Sequence, residues 1–302
     1  MGLTKFLLDS GDPDEYREIS ELAKESGQEL WGSTTNPSLI AKKLAGQKVS
    51  QDDAFNRLQK EIVLEILDIV PGAVSAEVYS NLDTKAEDMI AQGREISTWH
   101  ERVVVKLPTT REGLKARTTL RKEGIAINNT LVFSQQQIFA ILMHETLVMN
   151  QFNPKPTLLP CFISPFVGRL DDRGENGMDV IEHGLSLQKM YFDETTAWIL
   201  ESSVRNLTHV QLGLNLNVPL MTAPAKVYRE YFSNQPSFAK ASEGKQDNLV
   251  AIPYWQPSED LLHFENIDEF MEAILSGKLD ISHPLTTAGI EKFAEDWKTI
   301  IQ

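Results

Sequence analysis

Short apolar runs alternate with longer amphipathic segments along the whole chain, and that alternation restricts the fold more than any other property of the sequence. A brief apolar run bounded by turn residues reads as a buried strand. An apolar stripe recurring every three or four positions reads as a helix, and strict succession of the two reads as strand, crossover helix and parallel strand. Strands are expected over residues 3–9, 29–34, 73–78, 102–110, 125–133, 161–164, 197–203 and 220–222. Helices are expected over 16–26, 39–44, 50–70, 84–98, 111–123, 135–150 and from 178 to about 187 or 191. Three prolines, Pro154, Pro156 and Pro160, make 151–160 a loop, and the RLDDRGEN stretch between Gly168 and Gly177 reads as a polar loop. Strands each followed by a helix in this way predict an α/β fold, a closed (β/α)8 barrel of the TIM type. Barrels of this kind reach the length of this chain, 302 residues, as one domain, so 1–302 is read as a single unit. Residues 234–250, rich in Ser, Lys and Gln, read as a surface loop, and 264–302 as a C-terminal extension with helices over 264–275 and 287–301.

The run RVVVKLPTT, residues 102–110, contains the residue that most needs explaining. Three valines and Leu107 describe a strand buried on both faces, and Lys106 stands at its C-terminal end. A lysine is rarely buried unless paired, and burial favours its neutral form, an amine able to attack a ketone and form a Schiff base. In a barrel of this type the active site lies at the C-terminal ends of the strands. The polar residues closing the other apolar runs are Asp9, Thr34 to Asn36, Glu77, Asn128 with Thr130, Ser164, and Ser203 with Arg205. One amine, two carboxylates, hydroxyls and amides are what Schiff-base chemistry on a polyol requires. The amine attacks the carbonyl, water leaves, and either Asp9 or Glu77 takes a hydroxyl proton as a carbon–carbon bond breaks. Two carboxylates beside one amine oppose its neutral form. That tension is relieved if one of them works through a water or a hydroxyl such as Thr130 and touches Lys106 only indirectly. Each residue also has an ordinary reading: Asp9 as a helix cap, Asn36-Pro37 as a turn, Glu77 as a solvated strand end, Arg205 as a surface charge. Their occurrence together at one end of successive strands counts against those readings.

Composition removes other classes. With 43 acidic against 29 basic residues the formal net charge is −14, which argues against a nucleic-acid partner while leaving room for a local basic pocket. The one cysteine, Cys161, permits no internal disulfide and suits a reducing cytoplasm. The six histidines show no metal-ligand spacing, so no metal is expected. The first residues turn acidic at Asp9, too soon for a secretory signal, and no apolar run is long enough to span a membrane. Neither a P-loop nor a dinucleotide-binding glycine fingerprint occurs.

The segments LLDSGD, GSTTNPSLI, SAEV, VVVKLPTTREGL, GIAINNTLVFS, ISPFVGRLDD and ESSVRN occur in this order over residues 6–206. In them the chain resembles the transaldolases, and its HPLTTAGIEKFAEDW tail is similar to that of the smaller transaldolase and fructose-6-phosphate aldolase branch. The resemblance implies a (β/α)8 barrel in which Lys106 forms a Schiff base with a ketose phosphate, with no cofactor. It implies Asp9 as the acid/base for carbon–carbon cleavage, with Glu77 and Thr130 positioning a catalytic water. Asn36 and Asn128, with Thr35, Ser164 and Phe166 in the same pocket, would hold the dihydroxyacetone unit. Arg169, Ser203 and Arg205 would bind phosphate.

The aldolase branch typically carries Gln where Glu77 stands and Tyr where Phe166 stands, so both positions imply transfer to an aldehyde over release. The expected reaction moves dihydroxyacetone from sedoheptulose 7-phosphate to glyceraldehyde 3-phosphate in the pentose phosphate pathway. Cleavage of the fructose-6-phosphate aldolase type and a non-catalytic sugar-phosphate-binding barrel are the alternatives. Val204 departs from the aromatic residue often found there, and the segments 151–160 and beyond Gly213 match poorly. Acceptor preference and subunit number, a homo-oligomer included, are therefore left open.

Overall fold

The computed structural model describes residues 4–50, 53–193, 195, 197–233 and 248–301. Its strands are β1 Lys5–Asp9, β2 Leu30–Thr34, β3 Val74–Glu77, β4 Val103–Pro108, β5 Ile127–Val132, β6 Cys161–Pro165, β7 Ala197–Glu201 and β8 Leu220–Ala223. Each pairs in parallel with the next, and β8 returns to pair with β1, closing the barrel. The helices are α1 Pro13–Glu25, α2 Pro37–Lys43, α3 Gln59–Leu67, α4 Ala86–Ser97, α5 Arg111–Lys122, α6 Gln135–Phe152, α7 Val167–Asp171, α8 Gly177–Tyr191, α9 Leu207–Asn215, α10 Ala225–Ser233, α11 Ile267–Leu275 and α12 Pro284–Lys298. The expected (β/α)8 architecture is therefore present. Among the described residues no helix is long and apolar enough to cross a membrane.

The turn from strand to helix is written in short polar caps. Asp12 accepts from the Asp14 amide before Pro13 opens α1, and Asn36 accepts from Leu39 before Pro37 opens α2. Thr110, Ser134 and Asn206 cap α5, α6 and α9 in the same manner. It is Asp12, and not Asp9, that serves as the cap of α1, which leaves the Asp9 carboxylate for the barrel interior.

Inside the barrel, alternate residues along each strand point the same way. Leu7, Ala73, Val104, Phe162, Leu200 and Leu220 form an apolar floor, closed from below by Trp31 and Trp198. Two residues further along the same strands come Asp9, Ser75, Lys106, Ser164, Ser202 and Thr222, all at the C-terminal mouth. A separate, much larger apolar layer fills the space between the barrel and its surrounding helices.

Several expectations need correction. The helix expected over 50–70 is wound as a π-helix over Asp53–Leu58 before it becomes α3. α6 runs on to Phe152, into the expected loop. Asn153, whose short side chain tolerates the left-handed backbone (φ 43°), terminates it just before Pro154. The polar stretch after Gly168 is not all loop, because α7 occupies its first part. Val167 and Leu170 are buried there among residues whose charges mask the helical pattern. Of the surface loop expected over 234–250, residues 234–247 lie outside the described residues. Val250 bridges to Glu175. α11 and α12 start within three residues of their expected positions, and α12 lies across the mouth of the barrel. There Thr286 donates to the Leu131 carbonyl at 2.8 Å, and Ser38 bonds Asp296.

Candidate active site

The Lys106 ammonium stands at the centre of the mouth, on β4, with Glu77 beside it on β3 and Asn128 beside it on β5 in direct register. Lys106 is 2 % exposed and Glu77 1 %. Nζ donates to the Thr35 carbonyl at 3.0 Å and lies 3.0 Å from Glu77 Oε2, a close ion contact at an angle outside hydrogen-bond geometry. Burial pushes the Glu77 carboxyl above its ordinary value, and the facing Lys106 charge works against that rise. The site thus sets a buried amine against a buried carboxyl.

Asp9 makes no ion pair with Lys106 among the described residues. It accepts instead from Thr34 Oγ1 at 2.7 Å. A hydroxyl has one proton, so Thr222, 2.7 Å from the same oxygen, donates to Thr34, and a relay Thr222→Thr34→Asp9 crosses β8, β2 and β1. Burial raises the Asp9 carboxyl above the ordinary range, against the pull of Lys106 and of the Thr34 bond. Of the two carboxylates, Glu77 touches the amine directly, while the bonds of Asp9 run to Thr34 and away from Lys106.

A second chain runs across the other wall. Ser164 donates to Asn128 Oδ1 at 2.7 Å, and Asn128 Nδ2 donates to Ser75 Oγ at 3.1 Å, tying β6, β5 and β3 together. Thr130 Oγ1 is buried with no protein partner among the described residues, so its hydroxyl remains available. Asn36 lines the cavity although its side-chain oxygen caps α2. Thr35 does not reach the cavity with its side chain, whose hydroxyl is spent on the Ser75 carbonyl. Its contribution is the backbone oxygen that holds Lys106.

The cavity above the amine is bounded by Asp9, Asn36, Lys106, Ser164 and Phe166, and on its outer side by Arg169, Ser203 and Arg205. Ser203 sits in the left-handed region (φ 59°), a conformation that costs a non-glycine residue about 1–3 kcal/mol and is characteristic of functional loops. Arg205 pairs with Asp172 at 3.0 Å on the exposed rim, and its amide donates to His209 Nδ1. That bond fixes the His209 proton on Nε2, which faces Asp171 at 2.7 Å. The Arg169 guanidinium is mostly buried, and no hydrogen bond or ion pair satisfies it among the described residues. Burial and the neighbouring Arg205 charge lower its pKa. Such a group is a ready receptor for an anion.

Behind β5, on the side away from the cavity, Arg117 donates to Asn129 Oδ1 at 2.9 Å and to Glu145 at 2.6 Å, and contacts His144. Arg121 grips the same carboxylate at 2.7 Å. Burial would raise Glu145, but the two arginines hold it below the ordinary carboxylate value, and burial with Arg117 drives His144 well below its own. By holding Asn129 outward this cluster keeps Asn128 and Thr130 turned in. A second hollow, between the loops after β3 and β4 and the start of α12, is lined by none of the candidate site residues. Thr222, Ser202 and Ser75 belong to the site and were not singled out, although each is the residue two beyond the floor on its strand.

A family model described as transaldolase/fructose-6-phosphate aldolase matches residues 6–302. The chain belongs to that family. A protein of Geobacter metallireducens named "Probable transaldolase" is 35% identical over 299 residues, covering 98% of this chain and 99% of its own. One of the same name from Heliobacterium modesticaldum is 32% identical over 297 residues, with 98% of each chain covered. A Clostridium botulinum relative, also so named, is 38% identical over 224 residues, 74% of this chain and 86% of its own. Transaldolase-type activity is the function these relationships support.

Proposed function

We propose that the protein transfers dihydroxyacetone from sedoheptulose 7-phosphate to glyceraldehyde 3-phosphate, giving erythrose 4-phosphate and fructose 6-phosphate, through a Schiff base on Lys106. The observation that carries the reading is a buried amine 3.0 Å from one carboxylate, within the field of a second and below an unsatisfied arginine. Lys106 gives a proton to Glu77 and attacks the ketose carbonyl carbon. The resulting carbinolamine loses water, protonated from the Glu77 side with the free Thr130 hydroxyl at hand, and an iminium remains. Asp9, its carboxyl tuned upward by burial, takes the proton from the hydroxyl on the far carbon of the bond to be broken, the carbon that becomes the aldehyde. That bond's electron pair moves into the iminium, leaving an enamine on Lys106, and the aldehyde departs.

An incoming aldehyde reverses these events. The enamine carbon attacks it, Asp9 returns the proton to the new alkoxide, and water releases the new ketose. Asn36, Asn128 and Ser164 hold the hydroxyls of the retained unit, and Arg169, Ser203 and Arg205 hold the phosphate. Phe166 lines the cavity with no hydroxyl that could guide water to the enamine, which favours transfer over release. These assignments predict an enzyme acting on small sugar phosphates, and the single cysteine, Cys161, supports a reducing, cytoplasmic setting for it. Incubation with fructose 6-phosphate and borohydride, followed by peptide mass analysis, is expected to leave a reduced three-carbon unit on Lys106. An active preparation without that adduct would sink the mechanism.

A further inference from the structure

Arg169 is held by aromatic faces, one of which comes from the far end of the chain. Its guanidinium carbon lies 5.1 Å from the centre of the Phe166 ring and 5.3 Å from that of Phe293, on α12. Gly289, one helical turn before Phe293 and so on the same face of α12, presses on the same group. A Cβ at Gly289 would stand 2.8 Å from Arg169 Nη1 and 2.6 Å from Leu131 Cδ2. The start of α12 is pinned to the rim independently. Thr286 bonds the Leu131 carbonyl, and His283 stacks on Phe133 at 5.3 Å, while Phe133 meets Phe166 edge-on at 5.6 Å. Arg169 therefore has one wall from the barrel and one from the C-terminal helix.

We infer that α12 determines the preference for phosphorylated substrates, Gly289 and Phe293 acting as positioning residues that aim the Arg169 guanidinium into the cavity. The inference rests on reading Arg169 as a phosphate ligand, and it adds that its aim is set by a helix that does not itself touch the reacting atoms. A guanidinium with no protein hydrogen bond among the described residues is directed by what packs against it. Cation–π contacts and steric exclusion are the two means available here.

The test compares Gly289→Ala, Phe293→Leu, Phe293→Tyr and Arg169→Ala in the full chain. Two readouts report the phosphate: KM for fructose 6-phosphate, and competitive inhibition by inorganic phosphate. A third does not, namely the rate at which unphosphorylated dihydroxyacetone is trapped on Lys106 by borohydride. Gly289→Ala and Phe293→Leu should weaken both phosphate readouts about tenfold, the scale of one misdirected charge-assisted contact, and leave dihydroxyacetone trapping unchanged. Phe293→Tyr, which keeps the ring, should resemble the parent. Trapping that slows in step with phosphate binding would mean a general structural role and overturn the inference. So would phosphate readouts that move in Arg169→Ala but not in the α12 variants, a result that leaves Arg169 as a phosphate ligand. If Arg169→Ala itself leaves both phosphate readouts unchanged, the phosphate reading fails along with the inference. Should Phe293→Leu fail to fold, Gly289→Ala decides, since the atoms nearest its added methyl are the side-chain ends of Arg169 and Leu131 and not backbone.

Discussion

Glu201 is a buried acid without a counter-charge among the described residues, and replacing it by glutamine should change how stability depends on pH. It lies on the outer face of β7, completely buried, and neither carboxyl oxygen has a partner among the described residues. Helix α9 fits over it only because residue 213 is glycine: a Cβ there would fall 1.8 Å from Glu201 Oε2. Burial alone drives this carboxyl well above its ordinary 4.5. The folded protein therefore keeps a proton that the unfolded chain releases near pH 4.5. Unfolding sheds protons, so stability falls as pH rises through the interval between the two values, by about 1.4 kcal/mol per pH unit.

Asp9 and Glu77 are shifted in the same direction and add to the slope in the parent, but they are common to parent and variant. The difference between the two isolates Glu201. Urea unfolding of the parent and Glu201→Gln from pH 4 to pH 8 should give curves that separate as pH rises past 4.5, the variant gaining about 1.4 kcal/mol per unit until the folded-state value of Glu201 is reached. At the acid end the offset should be small, because a protonated carboxyl and an amide both leave polar atoms unsatisfied in the same space. Parallel curves would refute the reasoning, for they would mean that Glu201 ionises alike in the folded and unfolded chain.

Asp9→Asn should still form the Schiff base but lose cleavage, with kcat down by about 10²–10⁴. Borohydride trapping with fructose 6-phosphate should then leave a six-carbon adduct on Lys106 in place of the three-carbon one, as peptide mass will show. Phe166→Tyr places a hydroxyl at the cavity wall and should raise the release of free dihydroxyacetone in the absence of an acceptor aldehyde, measured by a coupled assay. No increase would remove the argument for transfer that rests on this position. Arg117→Met strands the Glu145 carboxylate with only Arg121 and should cost about 3–5 kcal/mol in chemical denaturation. Because Asn129 loses its outward anchor, KM for the ketose should rise as well.

The barrel and the mouth residues could be read from the chain because both depend on short periods. An apolar run closed by a polar residue is visible in one dimension, and in a closed parallel barrel all such closures meet at one end; Asp9, Lys106, Asn128 and Ser164 were found on that basis. Thr222 and Ser202 obey the same spacing, but a threonine or serine after an apolar run is too common to stand out. Thr35 was expected among the residues of the pocket, and it is its carbonyl that Lys106 uses; backbone atoms leave no trace in residue type. The order of contact around Lys106, Glu77 near and Asp9 at a remove, depends on tilt and on side-chain length, which the sequence does not encode locally. Arg117, Glu145 and Asn129 are separated along the chain, and each looks like an ordinary helix or strand polar residue until packing joins them. Gly289 and Phe293 read as part of an amphipathic terminal helix, and only the folding of that helix over the rim brings them to Arg169.

The hydrocarbon floor beneath Lys106 makes the barrel a blind-ended cup rather than a tube. Whatever enters past Phe166 has to leave by the same rim, so the departing aldehyde and the arriving one cannot occupy the narrow passage together. Given the covalent intermediate proposed here, that traffic rule imposes a double-displacement order: reciprocal plots at several fixed acceptor concentrations should run parallel, and the first product should compete with the second substrate.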